Sequence, residues 1–217
     1  AGYHFRIGSP QTIADRFLMW DPDKAELYVS ASGNDSNPGT ESQPFATVTK
    51  ALSVAKPGTW IYIGQGVFAH PQETFPLKLD KMGVRLIGAG MDDTTLRAVN
   101  STNRAIEIWG MAGDAAISRL TVEGGYLTNA IAFPYQALNY ENPFNRRGAG
   151  LYILNSMLTL SEVRVTNCTI RGIANEHLFG AGVYAHYGFG MITQCVIVAN
   201  QFGSEQSNTG DGVGGGL

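Results

Sequence analysis

"RRGAGLYILN" at 146–155 returns as "LFGAGVYAHY" at 178–187, and "GGGL" at 214–217 repeats its opening. In both full copies a Gly-x-Gly precedes an alternating run, Leu151-Tyr152-Ile153 and Val183-Tyr184-Ala185. Glycine enters φ > 0 without strain, so such a pair marks a sharp corner beside a close backbone neighbour. Alternation with period two marks a half-buried strand. A corner and a strand that recur together predict stacked coils.

Extending the alternation backwards aligns Val84-Arg85-Leu86 and Ile106-Glu107-Ile108 with those two runs, in steps of 22, 45 and 32 residues. The long step contains the irregular segment 126–147. A second column follows: Leu96-Arg97-Ala98, Leu120-Thr121-Val122, Cys168-Thr169-Ile170 and Cys195-Val196-Ile197. This register stacks Cys168 on Cys195 as small buried hydrophobes rather than a disulfide. Short strands at ~20–25-residue repeats, without a 3.6-residue period, describe an all-β solenoid with three parallel sheets. Because "GGGL" stops where a strand begins, the chain is expected to be the N-terminal part of a longer protein.

Ahead of the coils, "SPQTIADRFLMW" at 9–20 has a helix start, Ser9 as cap and Pro10 in the first turn. A second short helix is expected over 44–55, closed by Pro57-Gly58 and covering the N-terminal end. The organisation read here is a cap region at 1–58, holding helices and a first strand, and coils at 59–217.

Charged residues make up 15% of the 217, with a formal net charge of −3. No Lys/Arg stripe exists to neutralise phosphates, so nucleic acid is not an expected partner. No apolar run approaches the roughly 20 residues of a membrane span. A start at "AGYHF" is compatible with a mature exported chain.

Gly33-Asn34-Asp35, Asn37-Pro38-Gly39-Thr40, Pro44-Phe45, Ala51-Leu52, Pro57-Gly58, Ile61-Tyr62-Ile63, Gly66, Phe75-Pro76-Leu77 and Gly88 together make a specific pattern over roughly 27–98. It resembles the conserved domain of unknown function that opens many exported right-handed parallel β-helix proteins of the pectate-lyase-like superfamily. The resemblance implies a right-handed β-helix and an extracellular, cell-surface or periplasmic location. It implies no reaction.

Lyases of that superfamily use stacked carboxylates to hold Ca²⁺ and a Lys or Arg to remove a proton. Little here matches. Lysine is absent after Lys81, and the outward column reads Arg85, Glu107, Tyr152, Tyr184. Asp92-Asp93 reads as a turn cap, and Arg164 with Glu162 as a solvated pair. His4, His70, His177 and His186 have poor metal spacing. No catalytic residue, metal or cofactor is expected.

The irregular segments 126–147, 171–179 and 201–213 each precede a Gly-rich corner and should leave from one edge. The expected binding residues are Tyr126, Phe133, Tyr135, Tyr140, Phe144, Arg146, Arg147, Glu176 and His177. Aromatics beside amides and guanidinium groups suit a glycan or a protein partner. The function expected is a surface scaffold that binds through these corner loops. Two alternatives stay open: the N-terminal part of a polysaccharide lyase or other carbohydrate-active enzyme with catalytic coils downstream, and a subunit that self-assembles into a filament or larger complex.

Overall fold

The structure is a computed structural model that describes residues 25–99, 103–109, 115–127, 146–172, 178–187, 189–204 and 212–213. The helix expected at 9–20 lies outside them.

Every ladder among the described strands is parallel, and each joins one coil to the next. The first coil holds β2 (Trp60–Ile63), β3 (Gly66–Ala69) and β4 (Leu77–Leu79), with β1 (Glu26–Val29) paired beneath β2. The second holds β5 (Arg85–Gly88), β6 (Thr94–Arg97) and β7 (Ile106–Trp109). The third holds β8 (Ala115–Glu123), β9 (Tyr126–Leu127), β10 (Arg146–Arg147) and β11 (Leu151–Leu154). The fourth holds β12 (Met157–Thr166), β13 (Thr169–Gly172), β14 (Leu178–Phe179) and β15 (Val183–His186). The fifth holds β16 (Phe189–Thr193), β17 (Val196–Val198), β18 (Gln201–Ser204) and β19 (Gly212–Val213). Trp60, Arg85, Ala116, Thr159 and Met191 occupy equivalent places on successive coils.

The inward residues form columns. Ile61, Leu86, Ile117, Leu160 and Ile192 make one, and Phe68, Leu96, Val122, Val165 and Ile197 another. Leu77, Ile106, Leu151 and Val183 make a third. Together they supply much of one continuous apolar core. The described strands form four sheets rather than three. β8 and β12 run through two faces of the coil and join them into one nine-stranded sheet, while the short strands flanking the irregular segments add two three-stranded sheets to the four-stranded one.

Two details of the expected register are corrected. Arg85 does not stand over Glu107. It pairs with Trp60 and Ala116, and the earlier member of the Glu107–Tyr152–Tyr184 column is Lys78. The runs at 84–86 and 106–108 therefore lie on different faces of one coil, which also places a lysine on the coils. Nor does the second column hold as aligned: Leu96 pairs with Val122 rather than Leu120, and Cys168 does not stack on Cys195. Cys168 is level with Asn200, and Cys195 with Val163. Both cysteines follow a residue with positive φ, Asn167 or Gln194, and both thiols donate to the carbonyl two residues back. The same local turn sits at two different corners. The two cysteines are free, with Cys168 buried and its thiol pushed up to about 11 chiefly by that burial.

The single described helix, α1 (Val48–Val54), packs against β1, β2 and β4 and buries Val48, Ala51 and Leu52. It falls inside the helix expected at 44–55. The opening motif builds its entrance. Asp35 accepts from the N–H groups of Ala46 and Thr47 at 2.9 Å each, and from the Thr47 hydroxyl at 2.7 Å. Asn37 donates to the Pro44 carbonyl at 2.8 Å. A Cβ on Gly39 would lie 2.2 Å from the Phe45 ring. These residues hold the turn that aims the helix.

Candidate functional site: the loop-bearing edge

The three irregular segments share their roots. Tyr126–Leu127, Thr169–Gly172 and Gln201–Ser204 pair as neighbours, and the chain returns through Arg146–Arg147, Leu178–Phe179 and Gly212–Val213, which also pair as neighbours. Departures and returns are thus stacked on three successive coils. Residues 128–145, 173–177 and 205–211 lie outside the described residues, and with them Phe133, Tyr135, Tyr140, Phe144, Glu176 and His177; so does the Arg146 side chain.

Two expected residues can be placed. Tyr126 is half-buried at the start of the first segment, with the Arg171 guanidinium of the next coil 5.8 Å from its ring centre. Arg147 lies at the end of that segment and is buried. It donates to the Tyr184 hydroxyl at 2.8 Å, and its guanidinium lies 5.0 Å from the centre of that ring. Arg147 therefore underpins the edge, while Tyr126 and Arg171 stand at its mouth.

Beside the return strands, the outer face carries a stacked block. The Tyr152 and Tyr184 rings lie 5.6 Å apart and 14° from parallel, as their shared column predicts. Arg104 is 2% exposed and lies with its guanidinium 4.3 Å from the Tyr152 ring centre. Its Nε donates to the Arg147 carbonyl at 3.0 Å, and its Nη1 is 3.7 Å from Glu107. A buried guanidinium survives only where rings, carboxylate and carbonyl replace its water. Beyond Tyr184, the His186 ring lies 6.2 Å away and Tyr187 is 76% exposed. Sequence reading missed Arg104. Its signal was present: Asn103-Arg104-Ala105 stands level with Gly148-Ala149-Gly150 and Gly180-Ala181-Gly182, so an arginine replaces alanine at a corner.

The corner explains both glycines of the repeated phrase. Gly148 and Gly180 have φ of 60° and 51°. A Cβ on Gly150 would lie 2.3 Å from the Gly182 carbonyl and 2.9 Å from Cys168 Sγ. The first glycine is needed for conformation and the second for clearance.

Elsewhere, Arg164 pairs with Asp92 at 2.8 Å across the coils, instead of with Glu162. Among the described residues no cluster of His, Cys, Asp or Glu is arranged to hold a metal, and no helix is long and apolar enough to cross a membrane.

Parallel strands stacked in register on successive coils define the class: a parallel β-solenoid. Within that class, the chain belongs to a family described as a protein of unknown function, DUF1565, with the match spanning residues 31–215. The match runs through the coils and is not confined to 27–98. No curated protein matches the sequence significantly. Among solved structures, pectin methylesterase PemA from Erwinia chrysanthemi is similar at 13% identity and a TM-score of 0.47, covering 78% of this chain and 54% of its own. A rhamnogalacturonan lyase shows 15% identity and a TM-score of 0.45, covering 83% and 53%. A lacto-N-biosidase from Eubacterium ramulus shows 13% and 0.43, covering 76% and 36%. The chain spans about half or less of the length of these structures.

Proposed function

We propose that this protein is an exported right-handed β-helix scaffold whose corner segments form a binding edge for a glycan. The observation that carries the reading is the stacking of all three departures and all three returns on successive coils. Segments rooted in that way emerge side by side, and long loops on one face of a solenoid commonly form its binding surface. The first segment supplies Tyr126, Phe133, Tyr135, Tyr140 and Phe144, rings that suit the apolar face of a sugar. Tyr126 under the Arg171 guanidinium adds a ring and charged donors at the mouth. The right-handed winding follows the strong bias of crossovers between parallel strands. Residues 1–58 serve as the cap in this reading, and export to the cell surface, periplasm or exterior accompanies it.

The test replaces Tyr135 and Tyr140 together by Ala and measures binding on a glycan array alongside thermal unfolding. Loss of ~1–3 kcal/mol of binding with an unchanged Tm is expected for anchor residues. A lowered Tm with unchanged binding would make the rings a lid and remove the binding edge. Absence of glycan binding by the parent chain, with crosslinking to a protein neighbour lost in the variant, would give the edge a protein partner instead.

A further inference from the structure

A second face of the coils carries a groove of its own. Tyr28 on β1 and Tyr62 on β2 are register partners, with rings 5.1 Å apart and 23° from parallel. Both hydroxyls donate to Glu26, at 2.9 and 3.4 Å. One carboxylate thus holds two rings from neighbouring strands in a single face-to-face stack. The stack borders a groove of about 310 Å³ whose other walls include Glu41 and Arg119, with Gly64 and Gly88 at the strand ends. Gly88 must stay bare, because a Cβ there would lie 2.2 Å from the Arg119 carbonyl. Arg119 is exposed at a corner with φ of 56°, and its Nη2 donates to the Ala89 carbonyl at 2.7 Å. A guanidinium has five N–H groups, so this anchor leaves donors at the wall.

The chemistry of the groove is an aromatic stack with a carboxylate acceptor and a guanidinium donor near it. A pyranose ring presents the matching surface: an apolar C–H face for an outer ring of the stack, and hydroxyls that both donate and accept. The volume lies at the low end for small-molecule sites, which suits one unit of a longer chain. The charges choose among sugars. Glu26 and Glu41 outnumber Arg119, and the whole chain carries −3, so a uronate is disfavoured and a neutral sugar favoured. Tyr28 reports the same field: its phenol is pushed up to about 12, first by the bond to Glu26, with burial and the charge of Glu41 adding to it.

We propose that Tyr28, Tyr62, Glu41 and Arg119 form a saccharide subsite for a neutral pyranose unit of a glycan chain, separate from the corner edge and independent of its loops. Affinity electrophoresis tests this, with the full chain run through native gels containing β-glucan, mannan, galactan or polygalacturonate. Retardation by at least one neutral polymer and not by polygalacturonate is expected. Tyr62→Ala should weaken it about tenfold and Glu41→Gln about threefold, while the Tyr135→Ala/Tyr140→Ala chain keeps this retardation. Glu41 is exposed, so its variant remains readable if Tyr62→Ala fails to fold. No retardation by any neutral polymer, retardation unaltered by Glu41→Gln, or stronger retardation by polygalacturonate would each overturn the subsite. Loss of retardation in the loop variant alone would move the contact to the corner edge.

Discussion

Single residues with positive φ turn each coil, and they are stacked. Arg119, Glu162 and Gln194 occupy one corner on three coils, with φ of 56°, 54° and 52°. Gly124, Asn167 and Ala199 occupy the next, and Asn155 with Tyr187 a third. The Gly-x-Gly corner was legible in the sequence because it is written in glycine. At the other corners only Gly124, Asn155 and Asn167 carry a turn signal; the arginine, glutamate, glutamine, alanine and tyrosine at the equivalent places carry none and are held there by the coils on either side. An L-residue in this region carries about 1–2 kcal/mol of strain, partly offset by the entropy a glycine would lose on folding. Ala199 is exposed and has no other visible duty. Ala199→Gly should therefore raise stability by about 0.5–1 kcal/mol, and the converse change, Gly180→Ala, should lower it by about 3 kcal/mol or more. The second figure is larger because the new Cβ would also sit 2.0 Å from the Val183 carbonyl. Urea unfolding of the two variants measures both, and a loss of stability in Ala199→Gly would show that the corner is not strained.

At the scale of elements, helix α1 depends on a carboxylate from 24 residues beyond its first turn. Glu73 is 1% exposed and accepts from the Val48 N–H at 2.6 Å and the Thr49 N–H at 2.9 Å, with the Thr49 hydroxyl as a further donor. The N-cap Thr47 satisfies Lys50 N–H at 3.0 Å, so together they answer the exposed donors of the first turn. Burial holds the Glu73 carboxyl above the ordinary glutamate range, opposed by those same hydrogen bonds. The folded group therefore keeps its proton at pH values where the unfolded one has lost it. Its linked contribution is full below the unfolded pKa and declines as pH rises through the raised folded value. Glu73→Gln should cost about 1–3 kcal/mol, because an amide group then faces N–H donors. It should also remove the decline of stability with rising pH from the mid-4s upward. Thermal unfolding across that range checks both, and parallel pH profiles for the two proteins would exclude Glu73 as the titrating group. The helix was readable from its apolar spacing. This lock was not, because nothing local to "PQETF" marks a glutamate that serves a helix so far back. The strand register slipped for a related reason: alternation looks the same on every face of a coil, so 84–86 could be laid over 106–108.

For the molecule as a whole, a solenoid distributes stability by neighbour contacts, and each coil is buried only as well as the coils beside it cover it. The column Ile61, Leu86, Ile117, Leu160, Ile192 shows this directly. Its first three members are fully buried and Leu160 is 1% exposed, yet Ile192 in the fifth coil is 50% exposed. Beside it lies a hollow of about 160 Å³ lined by Leu158, Leu160, Gly190 and Ile192. The same aliphatic residue type in the same register position therefore carries different energies. In this 217-residue chain, Ile117→Ala should cost about 2–5 kcal/mol, the range for a large-to-small change in a packed core. Ile192→Ala should cost less than half as much, since water already reaches that side chain and little cavity is left behind. Hydrogen exchange should grade in the same direction, with the β8 and β12 amides the slowest and those of β16 and β17 opening at lower free energy. The Ile117 variant should accelerate exchange in β5 and β12, its two neighbours, before it affects β1. Uniform acceleration along the whole chain would instead mean that the coils unfold as one cooperative unit, and that the neighbour-by-neighbour account of their stability fails.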